Sequence, residues 1–280
     1  MGRKLFPSWR EIGAAIQAMD GVAEAMAEQT RLFAESSDLM LSFGWPPILE
    51  ASIRQINALL KVRDEGGEEM ARTYLEKLAF HSYDDATVTR SLTAWGRKPL
   101  LARRMHLLRA GVEAHLRGDY ACSVPTLLPQ AEGIVLDCYR GVKELELAKC
   151  DVLVRRLLSS GDDEDALARV DRLVREFYLG QVLESIGRRD EVPDGLNRHV
   201  ILHGRDVAYD TKANSLKALI LVDYLSQSLV IVSSEGSAVY HRAGCPVVFR
   251  PKATFQVVSD SRVASALGKR PCRVCKPPRW

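Results

Sequence analysis

A short polar segment near residue 200 carries the clearest chemistry in the chain. It reads Asn197-Arg198-His199-Val200-Ile201-Leu202-His203, so an arginine precedes a histidine by five positions. An imidazole can take or give a proton near neutral pH, and a guanidinium can hold a phosphate through paired hydrogen bonds. Attack of the RNA 2′-hydroxyl on its own phosphate needs these functions and no metal ion. Residues of these types are suited to RNA cleavage, with Arg198 on the scissile phosphate and His203 as general base or acid.

The neighbours of this pair take supporting roles in the same interpretation. We expect His199 and Asn197 to position the substrate or the catalytic pair. Positions 198 and 203 lie about 140° apart around a helix, so they share one broad side rather than a narrow stripe. The alternative is a satisfied polar network at a helix interface, because the R-x4-H spacing alone occurs by chance in many proteins.

A second group of reactive side chains lies near the C-terminal end. His241 and Cys245 form an H-x3-C pair, and Cys272 and Cys275 form a C-x2-C pair. Two such pairs complete a tetrahedron around zinc, and four protein ligands leave no open position for catalysis. We therefore expect a structural Zn2+, whose binding supplies much of the folding free energy of a small module. The alternatives are a coincidental cysteine pair and a zinc-dependent enzyme, which would need an open metal position.

Charge is distributed unevenly along the chain. The formal net charge is only +3, but residues 236–280 carry nine Lys or Arg against one acid, Asp260. The tail therefore has a charge of +8 and the rest about −5. This asymmetry favours contact between the tail and a polyanion such as nucleic acid.

The remaining sequence predicts the elements that must position these groups. Hydrophobic residues make up 46% of 280 positions, and their three- and four-residue spacing predicts a mainly α fold. We expect a helix through Ile48 to Leu60 that starts at Trp45-Pro46-Pro47 and is broken at 64–67. Further helices are expected at 68–80, 99–117 and 123–147, with Asp210 or Thr211 capping a last long helix. Short strands are expected at 238–240, 247–249 and 255–258, before a short helix at 260–268.

The predicted organisation has three parts. A helical N-terminal region covers 1–96, a second helical domain covers 97–235, and a small zinc-binding β/α module covers 236–280. The longest apolar run, Leu216 to Val232, contains Lys217 and Asp223, which indicates a buried helix rather than a membrane span. The N-terminus lacks a long apolar stretch typical of a signal peptide, so we expect a cytoplasmic protein.

The Arg/His segment resembles the motif of the HEPN superfamily, which is Arg, then Asn, Asp or His, then three residues and His. Arg198-His199-x3-His203 fits that motif, and Tyr120-x2-Ser123-x-Pro125-x-Leu127-Leu128-x-Gln130-x-Glu132-Gly133 resembles the helical hairpin of bacterial HEPN-like proteins. The resemblance covers about residues 97 to 233. It implies a helical bundle, endoribonuclease activity and a homodimer whose two motifs form a composite cleft. Glu132, on the facing helix, is then expected to orient Arg198 or His203.

The tail resembles the metal-binding module of Ada-type DNA-repair proteins. The matching residues are Val239-Tyr240-His241-x3-Cys245-Pro246 and Ala264-x-Ala266-x-Gly268-Lys269-Arg270-Pro271-Cys272-x2-Cys275. Ada-type modules use four thiolates, whereas His241 replaces one here, so their methyl-accepting activity is not implied. The resemblance implies zinc and contact with nucleic acid.

Together these features predict a metal-independent endoribonuclease. The resemblance implies a role in bacterial antiphage defence or as a regulated toxin. The N-terminal helical region would then be a sensing or regulatory element of the nuclease, and a regulatory protein partner is expected as an option. The alternative is a non-catalytic HEPN-like dimer that binds nucleic acid or a partner.

Overall fold

The computed structural model describes residues 23–139, 147–158, 166–187, 191, 195–229, 231–234, 236–242, 255–258, 261–273 and 277. The chain is mainly helical, as the spacing of its apolar residues predicts. The α-helices are α1 Ala23–Ser42, α2 Ile53–Ser82, α3 Asp85–Trp95, α4 Met105–Leu116, α5 Tyr120–Cys138, α6 Cys150–Leu157, α7 Ala166–Phe177, α8 Arg198–Leu202, α9 Lys212–Ser228 and α10 Ser261–Ala266. A 3-10 turn covers Pro99–Arg104, and a π-helical turn covers Tyr178–Val182.

Helix α2 differs from its prediction at the start and agrees with it at the break. It begins at Ile53 because Ser52 and Gln55 form a capping box, in which each side chain accepts from the other's backbone N–H. The prediction of a start at Trp45-Pro46-Pro47 is wrong, since those residues lie in a buried link between helices. The predicted break is a kink at Gly67, whose φ of 79° is a conformation that favours glycine.

Helix α5 tolerates two internal prolines, Pro125 and Pro129. A proline has no N–H, so Pro125 leaves the carbonyl of Ala121 without its helical donor. The hydroxyl of Tyr209 donates to that carbonyl at 3.2 Å, which replaces the missing bond. The long helix is thereby kept intact up to Glu132, the residue that faces the Arg/His segment.

One hydrophobic core extends from Phe33 to Leu229 and so includes parts of both predicted helical regions. The buried carboxylate of Asp223 in α9 links them further. It accepts from the Trp95 indole at 2.8 Å and from the Tyr83 hydroxyl and the Gln227 amide, each at 3.1 Å. The predicted boundary near residue 96 therefore coincides with a turn inside a continuous core.

Helix α9 is surrounded by protein on all sides. Residues 214–226 are all buried, so the apolar run forms the central helix of the core, as its composition predicts. Among the described residues, no helix has the length and apolar character that crossing a bilayer requires.

A small sheet follows α9 at once. Its strands are β1 Ile231–Ser234, β2 Val239–Arg242, β3 Phe255–Val258 and β4 Arg270–Pro271, in the order β3-β1-β2-β4. β1 is antiparallel to β2 and β3, and β4 is parallel to β2. The sheet thus begins at Ile231, five residues before the predicted start of the module, because Ile231 and Tyr240 belong to one buried cluster. The predicted strand at 247–249 lies outside the described residues.

Candidate functional site

The Arg/His segment forms a short helix, α8, whose start is fixed by Asn197. The Asn197 side-chain oxygen accepts from the Val200 backbone N–H at 3.1 Å, which makes it the N-cap. Its amide nitrogen donates to the carbonyls of Gln181 and Glu184 at 3.0 and 3.1 Å. Asn197 is 2% exposed and its amide is used within the protein, so it positions α8 rather than contacting a substrate.

The other end of α8 is held by the same stretch of chain. The Arg205 guanidinium donates to the carbonyls of Ile186 and Gly187 at 3.3 and 2.9 Å. Val200 and Ile201 are buried in the main core between these two attachments. A five-residue helix is too short to be stable alone, so its orientation depends on these contacts.

Arg198 reaches across to α5. One terminal nitrogen of its guanidinium lies 3.2 Å from a Glu132 carboxylate oxygen. We expect Glu132 to orient Arg198 or His203, and in the structure it pairs with Arg198. The Arg198 Nε is buried without a hydrogen-bond partner among the described residues. A buried N–H of this kind is costly, and a further acceptor would satisfy it.

His199 and His203 lie side by side on α8. Their ring centroids are 4.6 Å apart, and the ring planes are tilted by 60°. The contact follows from the i, i+4 spacing on one face of a helix. His199 is partly exposed and His203 is exposed, so solvent and small ligands can reach this face. His199 and His203 therefore share one accessible face at α8, and Arg198 reaches from the same short helix to Glu132 in α5.

Two residues near this group have no signal in the sequence. The Tyr178 hydroxyl, in the π-helical turn, is buried without a hydrogen-bond partner among the described residues. Burial, followed by the charges of Cys150 and Glu132, raises the pKa of Tyr178 well above its usual value. Burial and then Glu132 raise the pKa of Cys150 to about 12. Both groups stay protonated at neutral pH, so Cys150 is not poised as a nucleophile.

A buried polar chain elsewhere connects α4, α5 and α9. The Ser123 hydroxyl donates to the Gly111 carbonyl at 2.9 Å and lies 2.7 Å from the Ser215 hydroxyl. Ser215 lies 2.7 Å from His115 Nδ1. Each hydroxyl has one proton to donate. All three hydrogen bonds are therefore formed when His115 Nδ1–H donates to Ser215 and the Ser215 hydroxyl donates to Ser123. Burial, then Lys212, lowers the pKa of His115 to about 4. His115 is therefore a neutral core histidine.

The described part of the tail brings together one residue from each predicted ligand pair. Tyr240 pairs with Pro271 in parallel register, and the Cys272 backbone N–H donates to the Tyr240 carbonyl at 2.9 Å. His241 and Cys272 are each the next residue after this pair, so they lie at neighbouring positions on adjacent segments. Each is 5% exposed. A histidine and a cysteine at neighbouring backbone positions are residue types that could supply half of a tetrahedral zinc site. Cys245 and Cys275 lie outside the described residues.

Searches of protein-family models, curated proteins and solved structures with this chain found no significant match.

Proposed function

We propose that the chain is a metal-independent endoribonuclease whose site is formed by Arg198, His199 and His203. The observation that carries the proposal is that one short helix holds both the contact between His199 and His203 and the guanidinium of Arg198, which meets Glu132. A phosphate-binding cation and proton-transfer groups are the parts that 2′-hydroxyl attack on RNA requires. The resemblance of the Arg198-His199-x3-His203 segment to the HEPN motif supports the same reaction.

Each residue has a distinct task in this proposal. Arg198 binds the scissile phosphate and stabilises the charge that develops on it through its guanidinium, which belongs to a side chain that is 32% exposed. His203 takes or gives the proton at the reacting oxygens. Asn197 keeps α8 in place, and Glu132 holds the Arg198 guanidinium until a phosphate arrives.

A homodimer would bring two such sites near each other, as the HEPN resemblance implies. Two exposed leucines border the ion pair, because Leu202 follows Arg198 and Leu136 follows Glu132 by one helical turn. Leu202 is 40% and Leu136 45% exposed. Apolar side chains at this position favour a contact with a second copy or a regulatory partner beside the cleft.

The tail completes the proposal as a structural zinc module that helps to hold RNA. His241, Cys245, Cys272 and Cys275 would bind the ion, which would cross-link the two halves of the module. Purified protein should contain about one zinc per chain, and Cys272→Ser should lose it. We propose a cytoplasmic protein that acts in antiphage defence or growth control, where thiols stay reduced.

The decisive experiment incubates mixed RNA with the purified protein in excess EDTA and, in parallel, without chelator. We expect cleavage that survives chelation and leaves 2′,3′-cyclic phosphate ends. Arg198→Ala and His203→Ala should each lose at least about 100-fold in rate. His106→Ala, at an exposed histidine of α4, is the matched control and should cleave normally. Absence of cleavage by the wild-type protein in both conditions would contradict the proposal.

The second candidate function is a non-catalytic dimer that binds nucleic acid or a partner. It is favoured by the Arg198–Glu132 ion pair, since an arginine already neutralised by a carboxylate also suits a structural network. Growth separates the two functions. An active ribonuclease slows growth when overproduced and its His203→Ala form does not, whereas a binding protein affects growth equally in both forms.

A further inference from the structure

We propose that His199 is the general acid of the reaction and His203 the general base, so that one protomer holds both proton-transfer groups. This inference rests on the proposed ribonuclease function and extends it. The observation behind it is the contact between the two imidazole rings, whose centroids lie 4.6 Å apart on the accessible side of α8.

The backbone makes this contact a fixed feature of the site. His203 is the C-cap of α8, and its backbone N–H donates to the carbonyl of His199 at 3.2 Å. Asn197 and Arg205 hold the two ends of the helix to the segment 181–187. The same contacts therefore hold the backbone positions from which Arg198 and both rings project.

The other titratable groups close to Arg198 are unsuited to the second proton transfer. Tyr178 is fully buried, and burial raises its pKa well above the usual value. The Cys150 thiol has a pKa raised to about 12 by burial and by Glu132. Glu132 itself is engaged with the Arg198 guanidinium. His199 is partly exposed and lies directly beside His203, so we assign the second proton transfer to it.

The two roles balance in a single turnover. Neutral His203 removes the proton of the 2′-hydroxyl while the 2′-oxygen forms a bond to phosphorus. The bond from phosphorus to the 5′-oxygen breaks, and protonated His199 gives its proton to that oxygen. The products are a 2′,3′-cyclic phosphate and a 5′-hydroxyl. After cleavage His203 is protonated and His199 is neutral, so the two rings together still hold one extra proton. Transfer of that proton from His203 to the neighbouring His199 restores the starting state.

A general acid at position 199 must carry a proton that it can give up, whereas a residue that only positions other groups needs no such proton. The HEPN motif accepts Asn or Asp after the arginine, and neither an amide nor an ionised carboxylate can protonate a leaving alkoxide. His199→Asn therefore retains size and polarity while removing proton transfer. It is the conservative variant that distinguishes an acid from a positioning side chain.

The test varies the leaving group. Each of the four ribonucleoside 3′-phosphates is prepared as an ester of the uridine 5′-hydroxyl and as an ester of 4-nitrophenol, whose anion leaves without a proton. We expect His199→Asn to lose at least about 100-fold in kcat on the dinucleotides and to cleave the nitrophenyl esters within about threefold of wild type. His203→Ala should lose activity on both, and KM should change little for His199→Asn.

Three results would overturn the inference while leaving the ribonuclease function in place. One is normal dinucleotide cleavage by His199→Asn, which would show a polar role only. Another is an equal loss on both esters, which would show a binding or folding defect, with thermal melting identifying the latter. The third is rescue of His203→Ala by the nitrophenyl ester. Failure of the wild-type protein to cleave any ester or mixed RNA would reject the function and this inference together.

Discussion

The Arg198 guanidinium meets the Glu132 carboxylate at 3.2 Å, and each side chain keeps part of its surface in solvent, 32% and 24%. The residue proposed to bind phosphate is therefore held by a carboxylate that an incoming phosphate must displace. Because the pair is only half-buried, solvent screens it, and the carboxylate can be exchanged for a phosphate. The pair thus holds Arg198 in position without closing the site.

Removing the charge of Glu132 should separate binding from catalysis. Glu132→Gln removes a negative charge beside the phosphate, so RNA should bind several-fold more tightly and with a steeper dependence on salt. Because the amide holds the guanidinium less firmly, kcat should fall. Fluorescence titration and initial rates at several salt concentrations measure both effects. Glu113→Gln, at an exposed acid of α4, is the control, and an equal effect there would point to bulk charge instead.

Asn197→Ala should reduce activity more than its effect on stability explains. The substitution removes an N-cap and two donated hydrogen bonds of a buried amide, at a cost of about 2 kcal/mol in the free energy of unfolding. Thr211→Ala removes the cap of α9 and is the matched comparison. Well below both melting temperatures, only Asn197→Ala should cleave RNA slowly. Equal cleavage rates for Asn197→Ala and Thr211→Ala would show that catalysis does not depend on the orientation of α8.

His115 should make the protein lose stability in mild acid. Its folded pKa of about 4 lies below the unfolded value of about 6.5, so the unfolded chain binds the proton first. The contribution is present above pH 6.5 and is lost as the pH falls towards 4, by on the order of 3 kcal/mol. Urea unfolding at several pH values in this range measures the free energy of unfolding. For His115→Gln, this free energy should change less with pH than it does for the wild-type protein. The change for His106→Gln should match that of the wild type.

Gly133 should resist substitution although it lies inside a helix. A Cβ built there would lie 2.1 Å from a terminal nitrogen of Arg104, which must then leave its bonds to Asp137 and Gln130. We expect Gly133→Ala to lower the free energy of unfolding by about 1–2 kcal/mol, after the usual gain from alanine in a helix. Gly180→Ala meets no atom within 4 Å and should cost less. A more stable Gly133→Ala protein would contradict the contact.

The sequence predicts those features that depend on local patterns. Apolar spacing predicts the helices, and the break at 64–67 predicts the kink in α2. A cap at Asp210 or Thr211 predicts the start of α9, and Thr211 is the cap in the structure. The R-x4-H spacing selects the residues that the structure gathers on α8. Each of these signals lies within one or two helical turns, where chain geometry alone fixes which residues are neighbours.

Features that depend on distant partners are not readable in this way. Ile48 and Leu49 have helical spacing but fill a buried link, because the Ser52 capping box starts the helix later. Asp223 has the same appearance as a surface acid, and its three donors come from two different parts of the chain. The positions of Tyr178 and Cys150 beside the ion pair likewise follow from tertiary packing, which a single sequence does not encode visibly.

The bonds from Tyr83 and Trp95 to Asp223 also bear on how this chain can change over evolutionary time. Removal of α1–α3 would strip apolar cover from α9 and leave a buried carboxylate without two of its donors. The N-terminal part is therefore not a separable cassette, and its deletion should destabilise the helices that remain. A signal received there would reach α9 as altered packing of the helix itself.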